Sequence, residues 1–296
     1  MKYQLHLFGR WVKKVYFTPL TLAPALIILI FYVYYPAFRS LYLSLNKTRL
    51  FDAVAFNGIA HYKSIFNDSE FWVAFRNTSI YAAGAISGTI IIGLSLAILL
   101  NSPLRGKTLF RTSFFMPYVI PYAAHTLLWE WLYDPRYGIW NYILGYLGVD
   151  AIPWITSRDW VLISFMIMNI WKRSGFAMVL FISGLQTIDD ELYDSAKIDG
   201  ANFINKFIHI TLPLLSPIML FVIVLSFLNT FQLFVEPFAM TKGGPGNSSL
   251  SIIYIIYEEG FRIVNSGRAS AMAVFLFAFI FICTGLLRRR FDIKEI

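Results

Sequence analysis

Charged residues are scarce in this chain of 296 residues, because Asp, Glu, Lys and Arg together make up only 14% of it. A soluble domain carries roughly 25% charged residues. Hydrophobic residues reach 57%, aromatic residues reach 18%, and the mean hydropathy is +0.61. The composition therefore excludes an ordinary soluble domain and predicts a polytopic membrane protein.

Cysteine and paired histidines are also nearly absent. The single cysteine, Cys283, lies inside an apolar run, which excludes an internal disulfide and a cysteine-based metal site. The four histidines occur singly, without the spacing of a metal site, and they are His6, His61, His125 and His209. The sequence therefore predicts no metal centre.

A nucleotide-binding motif is missing as well. Gly106-Lys107-Thr108 comes nearest to a P-loop, but that motif needs a glycine five residues before Gly106, and position 101 is Asn. No strand pattern precedes the segment either. We therefore expect no nucleotide cofactor, and the chemistry that powers the protein must lie outside this chain.

Six apolar stretches are long enough to span about 30 Å of hydrocarbon as helices. They lie near residues 16–35, 77–100, 112–133, 160–185, 213–236 and 269–287. The first is too long for a cleavable signal peptide and lacks a small-residue cleavage site. The sequence thus predicts an all-α protein with six transmembrane helices, in which residues 1–296 form a single transmembrane domain.

The distribution of Lys and Arg predicts the orientation of the spans. The amino-terminal tail, the segments 101–111 and 186–212, and the tail 288–296 carry these residues at roughly twice the density of the other loops. The denser set is expected on the cytoplasmic side. Both termini and the loop 186–212 are therefore predicted to be cytoplasmic.

The loop 186–212 is polar and contains two short helical patterns on either side of Gly200. Asp189 or Asp190 can cap the first helix, and glycine is the usual residue just past a helix end, where a positive φ is needed. An amphipathic connector lying on the membrane surface would show the same composition. Spacing, more than composition, favours a specific function for this loop.

Small residues and prolines mark two other spans. Gly84 and Gly88 lie on a face of small residues that lets helices approach closely, and we favour packing inside the subunit over a subunit interface. Pro117 and Pro121 interrupt the backbone hydrogen bonding of the third stretch, which predicts a broken helix that serves as a gate or a bend.

Polar residues inside the spans form two stripes. The fifth stretch carries Ser226, Asn229, Gln232 and Glu236 at helical spacing, and the fourth carries Asn169, Lys172, Arg173 and Phe176. Charged residues at membrane depth cost about 2.5–3.5 kcal/mol each, so they are expected to be functional or paired. If the stripes face each other, they line a polar pathway.

Alternatively, the amides bond to neighbouring helices, and Lys172 and Arg173 either pair with Glu236 or lie at a helix break near Ser174-Gly175. We expect Glu236 itself to be paired with a basic residue. Tyr254 and Tyr257 are further pathway candidates, although tyrosines are common at membrane interfaces without any ligand.

The loop motif also resembles a known family. Asp194, Ser195, Ala196, Gly200, Ile210, Leu212 and Pro213 match, in spacing, the "EAA" loop in the membrane subunits of binding-protein-dependent ABC importers. Here Asp and Ser replace the Glu and the first Ala of that motif. Two further segments, Trp171–Gln186 and Thr241–Ala271, resemble the carbohydrate-importing members, with Lys242 in place of their usual Gly. The likeness extends from about residue 17 to residue 290.

The resemblance implies a permease subunit of an ATP-driven sugar importer in the bacterial cytoplasmic membrane. Its implied partners are a second permease subunit, two ATPase subunits and an extracytoplasmic substrate-binding protein. Binding to nucleic acid is not expected. Alternating access would be driven through the loop that contains Asp194 and Gly200. Amides and aromatic rings suit an uncharged sugar, while Lys172, Arg173 and Lys242 leave an acidic saccharide or a glycerol phosphodiester open.

A self-contained secondary carrier or an intramembrane enzyme is the alternative. Such a carrier is expected to show inverted repeats with interrupted helices in matching halves. An intramembrane enzyme needs clustered His, Asp or Cys, whereas Glu130 and Glu236 are the only carboxylates found within the predicted spans.

Overall fold

Helices make up nearly all the regular structure in residues 21–102 and 105–290, the part of the chain that the computed structural model describes. The first elements are α1 (Thr21–Ser44), a hairpin of β1 (Asn46–Arg49) and β2 (Asp52–Phe56), α2 (Ala60–Phe66) and α3 (Ser69–Asn101). The amino-terminal tail and residues 291–296, both used above to orient the spans, lie outside the described residues.

The remaining helices complete the chain as far as residue 290. They are α4 (Lys107–Val119), α5 (Tyr122–Leu132), α6 (Ile139–Tyr146), α7 (Val161–Leu185), α8 (Asp190–Ile198), α9 (Phe203–Leu214), α10 (Ser216–Thr230), α11 (Ile252–Tyr257) and α12 (Ser266–Arg290). π-helical turns occur within α1 and α9, at Pro237–Thr241, and at Glu258–Arg262 after α11.

Within the described residues, α1, α3, α7 and α12 are each long and apolar enough to cross a membrane. The pair α9 and α10 adds a fifth candidate, although a break bends it by 68°. The third predicted stretch does not form one continuous helix. Its break lies at Ile120 and Pro121, which are both extended, whereas Pro117 remains inside α4.

The β-hairpin was not predicted by the all-α interpretation. Its strands pair antiparallel, and they are held against the start of α12. The amide of Gly267 donates to the Thr48 hydroxyl over 2.9 Å, and the Ser266 hydroxyl donates to the carbonyl of Leu50. Long-range hydrogen bonds therefore fix a segment whose own sequence shows no alternating pattern.

The small-residue face of α3 packs against α7 inside the subunit, as predicted. A Cβ at Gly84 would collide with Met166, and one at Gly88 would collide with Ile170. One turn further on, a Cβ at Gly93 would lie 2.8 Å from the Cβ of Ala177. This close contact makes α3 and α7 the scaffold to which α4 and α10 are attached.

Candidate translocation site and coupling loop

The predicted polar residues meet in a cavity of about 160 Å³, here called the Glu236 cavity. Its polar wall contains Tyr81, Tyr122, Asn169, Arg173, Asn229, Gln232 and Glu236, and Leu233 and Val235 complete it. The fourth and fifth stretches thus contribute to one polar space. Asn169 contributes a buried Oδ1 atom that has no hydrogen-bond partner.

One detail of the predicted stripe is wrong. The four polar residues from Ser226 to Glu236 do not share a continuous helix face, because α10 ends at Thr230 and residues 231–234 are not helical. The non-helical segment turns Gln232 and Glu236 back toward Asn229, so that all three line the cavity. The Ser251 hydroxyl donates to the carbonyl of Leu233 over 2.6 Å, which satisfies one backbone acceptor in this segment.

A second cavity of about 200 Å³, here called the Phe176 cavity, lies further along α7. Tyr118 and Phe176 form a stacked pair in its wall, with ring centroids 4.5 Å apart and planes 11° from parallel. Thr89, Ala177, Leu180, Val222, Leu225 and Ser226 complete most of its lining. This space is more apolar than the Glu236 cavity.

Arg173 and Asn229 line both cavities, so they lie on the wall that the two cavities share. The Nη2 atom of Arg173 donates to the Tyr122 hydroxyl over 2.7 Å. Its Nε atom is buried without a hydrogen-bond partner. The sequence indicated Arg173 as a member of the polar stripe, as a counter-ion for Glu236 or as a residue at a helix break near Ser174-Gly175.

Lys172 lines neither cavity. It is 2% exposed, and its ammonium group donates to the carbonyls of Pro117 at 3.2 Å and Tyr118 at 3.4 Å, and also to that of Ile120. These carbonyls lie at the carboxyl end of α4, where acceptors lack helical partners and a cation is favoured. Gly175 permits the contact, because a Cβ there would collide with the backbone of Phe114. Lys172 therefore stabilises the break between α4 and α5, whereas the break expected at Ser174-Gly175 is wrong because α7 is continuous there.

Glu236 is 2% exposed and lines the cavity, but it is not part of an ion pair. The expectation that it is paired with a basic residue is wrong for the described residues, among which no Lys, Arg or His nitrogen lies within 4 Å of its carboxyl group. Arg173, on the same cavity wall, bonds to Tyr122 instead.

Tyr254 and Tyr257 lie outside both cavities. Tyr254 is buried in an apolar cluster with Phe231, Leu250 and Met272. Tyr257 stacks against Phe261, with ring centroids 5.6 Å apart. Their role in the solute path remains a prediction, and their surroundings suit packing better.

The predicted loop forms two helices, α8 and α9, separated by Gly200. Asp189 caps α8 by accepting a hydrogen bond from the amide of Glu191 at 3.1 Å. Gly200 has φ = +77°, and an added Cβ would meet nothing within 4 Å. The amide of Ala201 donates to the carbonyl of Ala196 over 2.8 Å, as in the usual glycine-terminated helix end. The glycine is thus required for its backbone conformation and not for space.

Asn202 begins α9 and was missed by the sequence reasoning. Its side chain accepts a hydrogen bond from the amide of Asn205 at 2.8 Å. Asn before a helix is a common capping signal, so the residue could have been identified. The Tyr193 and Thr211 hydroxyls lie 2.9 Å apart and join α8 to the end of α9.

Charged and apolar side chains share the exposed face of the loop. Asp194 forms an ion pair with Lys197 at 2.6 Å, and this hydrogen bond lowers the pKa of Asp194 and raises the pKa of Lys197. Ile198, Phe203 and Ile204 are 88%, 67% and 62% exposed. Ser195 is also exposed, whereas Ala196 is half-buried. An apolar surface of this kind is typical of a protein–protein contact.

Leu212 and Pro213 lie in the last turn of α9, next to the bend into α10. The motif that marks the end of the loop in the sequence therefore coincides with the connection between the loop and the helix that carries Asn229. The site thus consists of two cavities beside a broken helix, together with an exposed two-helix loop that leads into the helix carrying Asn229.

Comparison with known proteins identifies the family. The family model described as the inner membrane component of binding-protein-dependent transport systems matches residues 89–294. The chain therefore belongs to this family, and it is a multi-pass permease subunit of an importer that works with a substrate-binding protein. It is not an enzyme, and the family excludes a self-contained carrier.

Two relatives illustrate the similarity. The chain is 33% identical over 278 residues to the sulfoquinovosyl glycerol transport system permease protein SmoG of Agrobacterium fabrum. This alignment covers 93% of this chain and 90% of SmoG. It is 35% identical over 252 residues to the lactose transport system permease protein LacF of Rhizobium radiobacter, covering 83% of this chain and 84% of LacF.

A solved structure shows the same fold. The crystal structure of a bacterial ABC transporter involved in the import of the acidic polysaccharide alginate matches with a TM-score of 0.83. The match covers 98% of this chain and 99% of that one at 20% sequence identity.

Proposed function

We propose that this permease subunit imports a saccharide through the Glu236 cavity. The observation that carries the proposal is the set of three amides, Asn169, Asn229 and Gln232, around one small polar space. Amides both donate and accept hydrogen bonds, as sugar hydroxyls do, and the adjoining Tyr118–Phe176 pair offers aromatic faces for a sugar ring. The names of SmoG and LacF also refer to a sugar-containing solute and to lactose.

The described helices provide up to five of the six predicted spans, and the remaining span is assigned to α4 and α5. We propose that these two helices together form the third of six spans, with Lys172 satisfying carbonyls at the break. Non-helical backbone at membrane depth is tolerated where protein groups satisfy it. Both termini and residues 186–212 then lie in the cytoplasm, within a single transmembrane domain, as the distribution of basic residues predicts.

The proposed partners are assigned to the exposed loop and to the two cavities. The loop with Ile198, Phe203 and Ile204 on its surface is proposed to dock into an ATPase subunit, and a second permease subunit is proposed to complete the solute path beside the two cavities. Purification of the tagged chain from its native membrane, without overexpression, tests this assembly. Recovery of two ATPase subunits and a second permease supports the proposal, and recovery of this chain by itself contradicts it.

Asp194→Asn is expected to lower ATP-dependent uptake about tenfold, because a charge-assisted contact to the ATPase is worth about 1.5–3 kcal/mol. Uptake in proteoliposomes measures the effect. Asp190→Asn is the matched control, because it removes the same charge from the first turn of α8 and should change uptake little.

Lys197→Gln separates the contact with the ATPase from the ion pair inside the loop. This variant also breaks the pair between Asp194 and Lys197 but leaves the carboxylate free to dock. Normal uptake is therefore expected. Equal losses in Asp194→Asn and Lys197→Gln would show that the ion pair matters instead, and equal losses in Asp194→Asn and Asp190→Asn would show that only the net charge matters.

Asn229→Leu and Gln232→Leu are each expected to raise the KM for saccharide uptake about tenfold with normal subunit assembly, because each removes polar groups from the cavity wall at similar bulk. Uptake assays with a neutral and an acidic saccharide measure both affinity and preference. Leu228→Ala serves as the control, because Leu228 lies on the same helix but lines neither cavity. Unchanged kinetics in both leucine variants would remove these amides from the path.

A further inference from the structure

Two neighbouring cations hold the two sides of the break in the proposed third span. Lys172 donates to carbonyls at the end of α4, and Arg173 donates to the hydroxyl of Tyr122 in the first turn of α5. The ammonium group of Lys172 also lies 4.9 Å from the centre of the Tyr122 ring. Adjacent residues of α7 therefore contact both ends of the break.

The same Arg173 side chain lies between the two cavities. The Glu236 cavity extends toward Asn169 on α7, and the Phe176 cavity extends toward Leu180 on the same helix. Arg173 and Asn229 are common to both linings, so the cavities are stacked along α7 with this pair between them. Asn229 is held by a bond from its Nδ2 atom to the carbonyl of Leu225 at 2.7 Å.

The hydrogen bonding of Arg173 is incomplete. Guanidinium groups have five N–H donors, and the buried Nε donor of Arg173 has no acceptor. The Glu236 carboxyl group lies in the same cavity lining and is not in an ion pair with any described residue. Arg173 therefore has a second possible hydrogen-bonding arrangement. In it, the side chain leaves the Tyr122 hydroxyl and bonds to the Glu236 carboxyl group.

We propose that Arg173 is the movable partition between the two cavities and that its bond to the Tyr122 hydroxyl is the latch that holds it closed. Release of the latch joins the Glu236 cavity to the Phe176 cavity and removes one of the contacts between α7 and the start of α5. The inference rests on the proposed function, because it assumes that solute passes through both cavities.

Thiol labelling from the two faces of the membrane tests the partition. Cys283→Ser removes the one cysteine of this chain, and the same complex without an added thiol measures the labelling of its partner subunits. Ser226→Cys places a thiol in the Phe176 cavity, and Gln232→Cys places one in the Glu236 cavity. Impermeant methanethiosulfonate reagents, one positively and one negatively charged, are applied to right-side-out and inside-out vesicles. If both reagents give the same pattern, the labelling reports opening of the partition and not merely the loss of the Arg173 charge.

With Arg173 present, each thiol is expected to react from one face only, position 232 from the external face and position 226 from the cytoplasmic face. In Arg173→Ala, both thiols should react from both faces. In Tyr122→Phe, labelling from the opposite face should rise about tenfold, because losing a charge-assisted hydrogen bond shifts an equilibrium by at least about this factor. Leu180→Ala is the control, since it enlarges the Phe176 cavity without touching the shared wall, and one-sided labelling should persist.

Two results would overturn the partition alone. These are two-sided labelling while Arg173 is present, and an unchanged one-sided pattern in Arg173→Ala or, if that variant does not assemble, in Tyr122→Phe. Failure of both thiols to react from any face in the background protein would instead overturn the proposed path together with the partition.

Discussion

Gly200→Val is expected to abolish coupling, with uptake reduced at least tenfold in a complex that still assembles. Gly200 has φ = +77°, and this conformation costs an ordinary L-residue about 1–2 kcal/mol and a β-branched residue more. Relief of that strain would turn α9 relative to α8 and displace the docking face. Uptake and binding-protein-stimulated ATP hydrolysis in proteoliposomes are the measurements.

Two controls separate backbone conformation from other effects. Gly200→Asn should retain most activity, since Asn adopts positive φ more readily than other non-glycine residues. Gly106→Val imposes the same strain elsewhere, because Gly106 also has φ = +77° and open space around it. It should leave coupling intact. Normal uptake in Gly200→Val would remove the loop geometry from the mechanism.

Lys172→Met is expected to lower the free energy of unfolding of the complex by about 2–4 kcal/mol. The substitution keeps an unbranched side chain of nearly the same length but leaves three carbonyls at the end of α4, buried or partly buried, without their donor. The midpoint of thermal unfolding of the purified complex, followed by size-exclusion chromatography after heating, should fall by several degrees.

Lys242→Met is the matched control. The Lys242 ammonium group also bonds to a backbone carbonyl, that of Phe238 at 2.6 Å, but this contact is exposed. Its removal should change stability by less than about 0.5 kcal/mol. If Lys172→Met keeps its stability but loses uptake, the role of Lys172 is in the solute path, as the sequence pattern first indicated.

Local chemistry explains which features the sequence predicted. The capping by Asp189 and the positive φ of Gly200 depend on a few neighbouring backbone groups, and the structure has both. The packing of Gly84 and Gly88 on α7 was also predictable, because small residues at helical spacing have few other uses in a membrane span.

Distant contacts explain the features that the sequence did not predict. The hairpin at residues 46–56 depends on Ser266 and Gly267, more than 200 residues away along the chain. The apolar pattern continues past Thr230 without a glycine or proline before Pro237, so nothing local ends α10 there. The Ser251 hydroxyl, donating to Leu233, supports the non-helical segment from a separate part of the chain.

The role of Lys172 was ambiguous for the same reason. A lysine in an apolar span has to find acceptors, and the sequence offered Glu236 and a nearby helix break as alternatives. Only the fold shows that the end of α4 lies against Gly175, where its carbonyls reach the Lys172 ammonium group. Arg173, one residue later, points to a different partner, and the sequence alone could not separate the two cations.

In the proposed coupling, the 68° bend between α9 and α10 determines how force from the loop reaches the cavities. Two rods joined at so large an angle do not transmit a push end to end. A displacement along α9 therefore acts mainly across the axis of α10 and swings it sideways about Leu215. Because Asn229 lies near the far end of α10, it would then travel further than the residues close to the bend, and α10 would act as a lever whose long arm is the wall of the proposed solute path.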